Sequence, residues 1–330
     1  MKSRFLILAA LCGCSFLSVS AQNASEEPKG KAIVQVFGNF HSGFGNDNDG
    51  RGFELDRSYL GYQYDLGKGL QIKGVMDIGQ SDDVNDYHRI AYIKNAQISW
   101  KTGDLTLTGG LISTIQFNMQ EKFWGYRYVM KSFQDLYKFG NSADLGISAS
   151  YKFNDWLSAD AIVVNGEGYK KIQQNDGLMY GLGATLTPAK CLSMRVYYGL
   201  NETTESEKKN VQNLATFVGL KFERFSLGAE YNRMWNYKYV DGNDYNGFSI
   251  YSNIKLNKES DLYLRYDYCS LGEQSSFIAG VQWKFGKYVK LSPNFRWNHQ
   301  DTDGGDSNHC SGYISCYFGF LSKFEITKTC

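Results

Sequence analysis

The chain has 330 residues, with 35 Lys and Arg against 34 Asp and Glu, a formal net charge of +1. That balance leaves no bulk field that would advertise nucleic acid or an acidic polymer as partner. Aromatic residues make up 15% of the chain, with 35 glycines and only 3 prolines, which suits a large antiparallel β structure with many turns.

The first element is read as an export signal. Lys2 and Arg4 precede an apolar run from Phe5 to Leu17, and Val19, Ser20 and Ala21 supply the small residues a signal peptidase reads. Residues 1–21 are therefore taken as the signal and 22–330 as the mature domain, in which 33 cations face 34 anions once Lys2 and Arg4 are gone. A lipoprotein reading through Leu11-Cys12-Gly13-Cys14 would leave a very short apolar core. Five cysteines remain (Cys191, Cys269, Cys310, Cys316, Cys330), odd in number and without CxxC spacing, so neither a zinc site nor a full disulfide framework is indicated. One bridge, Cys310 to Cys316, is the alternative to isolated thiols. No later stretch reaches the roughly 18 unbroken apolar residues of a membrane helix. A membrane location requires strands.

From Lys31 onward, alternation of period two recurs, as where Leu262, Leu264, Tyr266 and Tyr268 interleave with Asp261, Tyr263, Arg265 and Asp267. It predicts sixteen strands near 32–44, 52–65, 70–79, 90–100, 104–114, 143–153, 156–165, 178–187, 191–200, 213–222, 225–235, 246–256, 261–269, 276–285, 289–298 and 312–325. Short turns, such as Gly67-Lys68 and Thr102-Gly103, alternate with mostly longer polar segments at 45–51, 80–89, 115–142, 166–177, 201–212, 236–245, 270–275 and 299–311. An even strand count with short connections on one rim and long ones on the other predicts an all-β transmembrane antiparallel barrel, its short turns periplasmic and its long loops outside. Closure satisfies every backbone group without an edge, as lipid demands. Trp100, Tyr198, Tyr268, Phe285 and Trp297 are placed outward near strand ends, as interfacial girdles require. Pro293 cannot donate to a ladder, which predicts a bulge there.

The interval 115–142 is the longest connection. A sixteen-stranded lumen is too wide for side chains to fill, and a long loop folded inward would narrow it. Lys122, Arg127, Lys131 and Lys138 outnumber Glu121 and Asp135, a local charge of +2 that favours anions modestly where walls are close. Phe123, Trp124, Tyr126 and Tyr128 would pin the loop by burying ring area. A surface lid or a contact between subunits is the other reading. Along the wall, inward-assigned Lys73, Arg195, Lys221, Arg265, Lys284 and Arg296, with Lys290, are offset by Asp77, Asp144, Asp160, Glu230, Asp261 and Asp267.

Three blocks carry a resemblance: FELDRSYLGY (53–62), KFWGYRYVMKSFQDLYKFGNSADLG (122–146) and VVNGEGYK (163–170). They resemble the phosphate-selective porin family, the porin O and P type, of Gram-negative outer membranes, in a Bacteroidetes version. The resemblance implies a sixteen-stranded barrel in the bacterial outer membrane, often trimeric, admitting small hydrophilic solutes and in some members favouring anions. It also implies a throat lined with arginine and lysine, for which Arg127 and Lys131 match the family's loop block. The partners expected are thus solutes or anions, the bilayer with its lipopolysaccharide, and further copies of the chain. No nucleic acid and no cofactor is expected. Phosphate specificity does not follow, because the mixed wall screens and orients solutes more than it selects one sign. The ending ITKTC after Phe324 also departs from the aromatic C-terminus usual in such barrels.

Chemistry is weaker than transport. Only His41, His88, His299 and His309 are available as bases, and Ser42, beside His41, points to the other face of a regular strand. DNDGRGFE (47–54) and DTDGGD (301–306) lack the spacing of a calcium loop and read as turns. NGEGYKK (165–171) follows no phosphate-loop spacing. The expectation is a passive diffusion porin, with a non-conducting barrel for surface binding or structure as the alternative.

Overall fold

In a computed structural model, residues 29–44, 50–80, 88–174, 176–302 and 305–325 are described; residues 1–21, expected as an export signal, and Cys330 lie outside them. Sixteen strands follow one another: β1 (Lys29–Phe44), β2 (Arg51–Gly67), β3 (Leu70–Gln80), β4 (Arg89–Thr102), β5 (Leu105–Ser113), β6 (Ala143–Lys152), β7 (Leu157–Val164), β8 (Met179–Ala189), β9 (Leu192–Asn201), β10 (Val211–Lys221), β11 (Phe225–Trp235), β12 (Tyr245–Lys255), β13 (Ser260–Cys269), β14 (Gln274–Phe285), β15 (Val289–Thr302) and β16 (Gly305–Glu325). Each pairs antiparallel with its neighbours, and β1 pairs with β16, closing the barrel. Lys29 stands opposite Glu325 on one side and Asp65 on the other, so both ends of the barrel share the rim of the short turns.

The outward face is apolar. Ile72, Ile93, Ile98, Ile147, Leu182 and Val218 are exposed, and Trp100, Tyr151, Trp156, Phe285 and Tyr288 ring the turn side. Such a continuous belt is untenable in water and suits a bilayer with its aromatic interface. Among the described residues no helix is long and apolar enough to cross a membrane. The crossing elements are the strands.

Three local expectations change. The segment 299–311 is not a long loop: β15 and β16 stay paired to Thr302 and Gly305. Pro293 carries no bulge. Gly280 with Asn294 and Trp283 with Leu291 keep one register on either side of it, and the Ser292 hydroxyl donates to the Val281 carbonyl at 3.0 Å, serving an acceptor that proline cannot. Cys310 and Cys316 lie six residues apart on β16, about 20 Å at the strand rise, which forbids the bridge.

Bulges occur elsewhere and matter more. Phe37 pairs with Arg57 but Gly38 with Leu55, leaving Asp56 as an extra residue. Val75 pairs with Asn95 but Met76 with Ile93, leaving Lys94 extra. Each bulge turns two successive side chains inward.

Candidate functional site

Between β5 and β6 the chain leaves the sheet and runs back along the inner wall. Its first element is a short helix, α1 (Asn118–Trp124), stopped by Gly125 at φ 77°, whose N–H bonds the Glu121 carbonyl; α2 (Phe133–Leu136) comes next. The wall is shaped for it. A Cβ on Gly219 would lie 2.5 Å from Phe123, and one on Gly247 2.7 Å from Phe133, so these glycines are seats for loop rings.

Trp124, 1% exposed, meets Tyr251 and Tyr263 edge-on at 5.8 and 5.7 Å. Its indole N–H donates to the Met130 carbonyl at 2.9 Å. Such a ring cluster anchors an irregular segment through apolar area and quadrupole contacts. Trp124→Ala is therefore expected to cost about 3–5 kcal/mol, read as a lower thermal midpoint of the detergent-solubilised barrel and faster tryptic cleavage of the segment. No change in either would show that the ring packs nothing.

Off-ladder carbonyls need donors, and the wall supplies them. Tyr251 Oη donates to Gln120 O at 3.1 Å, Asn253 Nδ2 to Phe123 O at 2.9 Å, and Arg296 to Val129 O at 2.7 Å. Arg265 donates to Lys131 O at 2.7 Å while forking Asp267 at 2.8 and 2.6 Å. Arg195 does the same for Ile115 O at 2.9 Å and Gln116 O at 3.2 Å while forking Asp160. Three arginines assigned to the pore lining are thus spent on the loop: Arg195 is 5% and Arg265 2% exposed, and Arg296 lies 3.6 Å over the Tyr313 ring.

The opposite half of the wall stays open. On the turn side a cavity of about 500 Å³ is lined by Lys31, Lys73, Lys94, Lys290, Tyr59 and, from the loop, Arg127. On the loop side a cavity of about 570 Å³ takes Arg57, Lys131, Lys138 and Tyr169. They meet where Arg57 donates to Tyr59 Oη at 3.1 Å, to which Lys94 Nζ also donates at 3.2 Å. Facing this cluster, Arg127 is tied to Asp135 at 2.7 Å and Glu121 at 3.2 Å. Burial alone would raise the Asp135 carboxyl, but Arg127, Lys131 and Lys94 outweigh it and hold it below the usual carboxylate range. Lys131 is shifted down by burial, and Arg57 and Arg127 add to this against the pull of Asp135.

The predicted site residues therefore divide. Lys131 and Lys138 face the loop-side cavity, and Arg127 and Lys73 the turn-side one. Lys122 and Lys221 are brought together instead in a third cavity of about 390 Å³ behind α1. Lys284 is bound to Asp261 at 2.5 Å. Sequence reasoning missed Lys94 and Arg57, since strict alternation counted back from outward Trp100 puts Lys94 outside and only the bulge brings it in. It also missed Tyr169, which reaches across from the β7–β8 connection to bond Asp77 at 2.5 Å. That connection is clipped down by Asp144, whose carboxylate accepts the N–H groups of Gly166 and Gly168 at 2.9 and 3.1 Å, which accounts for the NGEGYK block.

No protein-family model matches the sequence, and no curated protein does. Solved structures match across most of the chain. OmpF of Salmonella typhi superposes with a TM-score of 0.64 over 89% of this chain and 97% of its own, at 12% identity. An anion-selective porin from Comamonas acidovorans gives 0.62 over 89% and 98%, at 14% identity. OmpT of Vibrio cholerae, also solved in a trimer form, gives 0.63 over 91% and 100%, at 14% identity. This chain has the porin fold. At these identities the likeness is one of backbone architecture, and what the bore does has to come from its own side chains. Within this fold, the barrel interior has on one wall lysines that form no ion pair among the described residues and on the other a fastened loop, an arrangement that bears on size and charge rather than on covalent chemistry.

Proposed function

We propose that this protein is an outer-membrane porin, a passive diffusion channel for small hydrophilic solutes with a mild preference for anions. The observation that carries the reading is the division of charge across the bore. On the loop-bound half Arg195, Arg265 and Arg296 are each matched to a carboxylate or carbonyl, whereas on the open half Lys31, Lys73 and Lys94 form no ion pair among the described residues. Unmatched cations in a narrow aqueous passage favour anions. Anion selectivity in a neighbour of the same fold is in keeping with it.

The reading includes export by residues 1–21, a trimer like the one recorded for OmpT, and no covalent step. His41 is engaged with Asn39 at 2.9 Å and stacked on Tyr313, while the Ser42 hydroxyl bonds the Gly43 carbonyl at 3.4 Å. Phosphate selectivity is not part of the proposal.

Purified protein in planar bilayers is expected to give discrete conductance steps, with a reversal potential of anion sign in a KCl gradient. A cation-sign reversal would overturn the selectivity while leaving the channel. Absence of steps would favour the non-conducting barrel.

A further inference from the structure

The loop-side cavity carries features that ion permeation does not need. Backbone strain gathers at its rim: Lys138, Asn236, Lys238 and Tyr239 have φ of 61°, 56°, 57° and 64°, in the left-handed region that non-glycine residues avoid. The strain is held in place. Asn236 Nδ2 donates to Asn210 O at 3.0 Å, Asn243 Nδ2 to Tyr237 O at 3.0 Å, and the Lys209 N–H to Tyr239 O at 3.1 Å. Strained residues kept by such over-determined surroundings concentrate at ligand clamps.

The lining holds three kinds of group. Lys131, Lys138, Lys170, Lys171 and Lys238 border the cavity, and none is ion-paired among the described residues. Of the carboxylates there, Asp135 is held by Arg127 and Asp144 accepts three backbone N–H groups, leaving Glu167. Amides come next: Asn141 is exposed and Asn201 half-buried. Half-buried rings, Tyr169 and Tyr239, complete the wall.

We infer that this cavity is a binding site for a short acidic oligosaccharide, two or three linked sugar rings bearing carboxylates, held at the outer mouth before passage. Each group then has its counterpart. Lysine ammoniums take the carboxylates, the amides of Asn141 and Asn201 meet the sugar hydroxyls, and the tyrosine rings lie against C–H faces of the sugar. Inorganic phosphate would use the lysines and leave the tyrosine rings without a partner. At about 570 Å³ the cavity falls within the roughly 300–1,000 Å³ usual for small-ligand sites.

The inference rests on the porin reading for what binding is for, but its test does not. Full-length protein in detergent is titrated calorimetrically with digalacturonate, cellobiose or inorganic phosphate. Digalacturonate is expected to bind at least tenfold tighter than either of the others, and Lys238→Gln, an exposed substitution that leaves the barrel intact, to weaken it severalfold. Tyr239→Ala, which removes a half-buried ring from the wall, is expected to weaken it further. Equal affinity for phosphate and digalacturonate would reduce the site to a plain cation cluster and overturn the inference, as would affinity unchanged in both variants. Conductance steps in sugar-free KCl report on the porin reading separately.

Discussion

Arg265→Leu is expected to destabilise the barrel by about 3–5 kcal/mol, because it strands a buried carboxylate whose charge partner is gone. Asp267 is fully buried, and its two oxygens face Arg265 Nε and Nη2 at 2.8 and 2.6 Å. The same guanidinium donates to Lys131 O, so the variant also unfastens the third connection at its middle. Two readouts register the loss: a lower unfolding midpoint in detergent, and noisier, larger current steps as the segment moves in the bore. Pairing it with Asp267→Asn should recover most of the stability, since the stranded charge is removed, but not the quiet current, since the carbonyl donor is still missing. If Arg265→Leu keeps both midpoint and noise at wild-type levels, the fastening role is wrong.

The second large effect concerns ion preference. Lys73→Glu with Lys94→Glu replaces two unmatched cations on the open wall by anions, at the place where the two cavities meet the loop. A unit charge about 8 Å from a passing ion is worth about 2 kcal/mol at an effective dielectric of about 20, so the double variant is expected to reverse the sign of the reversal potential and lower the anion-to-cation permeability ratio at least about tenfold. The same charge reversal at Lys122 and Lys221, behind α1, should shift it far less. If the two pairs of substitutions act equally, the passage does not run along the open wall.

Both predictions depend on pairings across the lumen, and there the limit of sequence reasoning shows. Period-two alternation is a local property of a strand, set by backbone geometry, and it placed the strands of the barrel, the outward aromatics and the long interval between β5 and β6. Turn chemistry misled at 299–311, where β15 and β16 stay paired to Thr302 and Gly305. At Pro293 a neighbouring serine met the missing donor without a bulge.

What the amino-acid order determined by itself was therefore the cylinder: which residues alternate, which face lipid, and where one segment is too long and too aromatic to be a plain loop. Closure decided the rest. Only when β1 meets β16 does the bore exist, and only then do Arg195, Arg265 and Arg296 find the loop carbonyls that remove them from the passage. The bulge at Lys94 brings a further cation to the open side and the one at Asp56 a carboxylate, because one unpaired residue reverses the inward and outward sense of the strand beyond it. Charge along a strand can be counted from the chain alone, but which charges stay unmatched depends on partners that only the closed ring brings within hydrogen-bond reach.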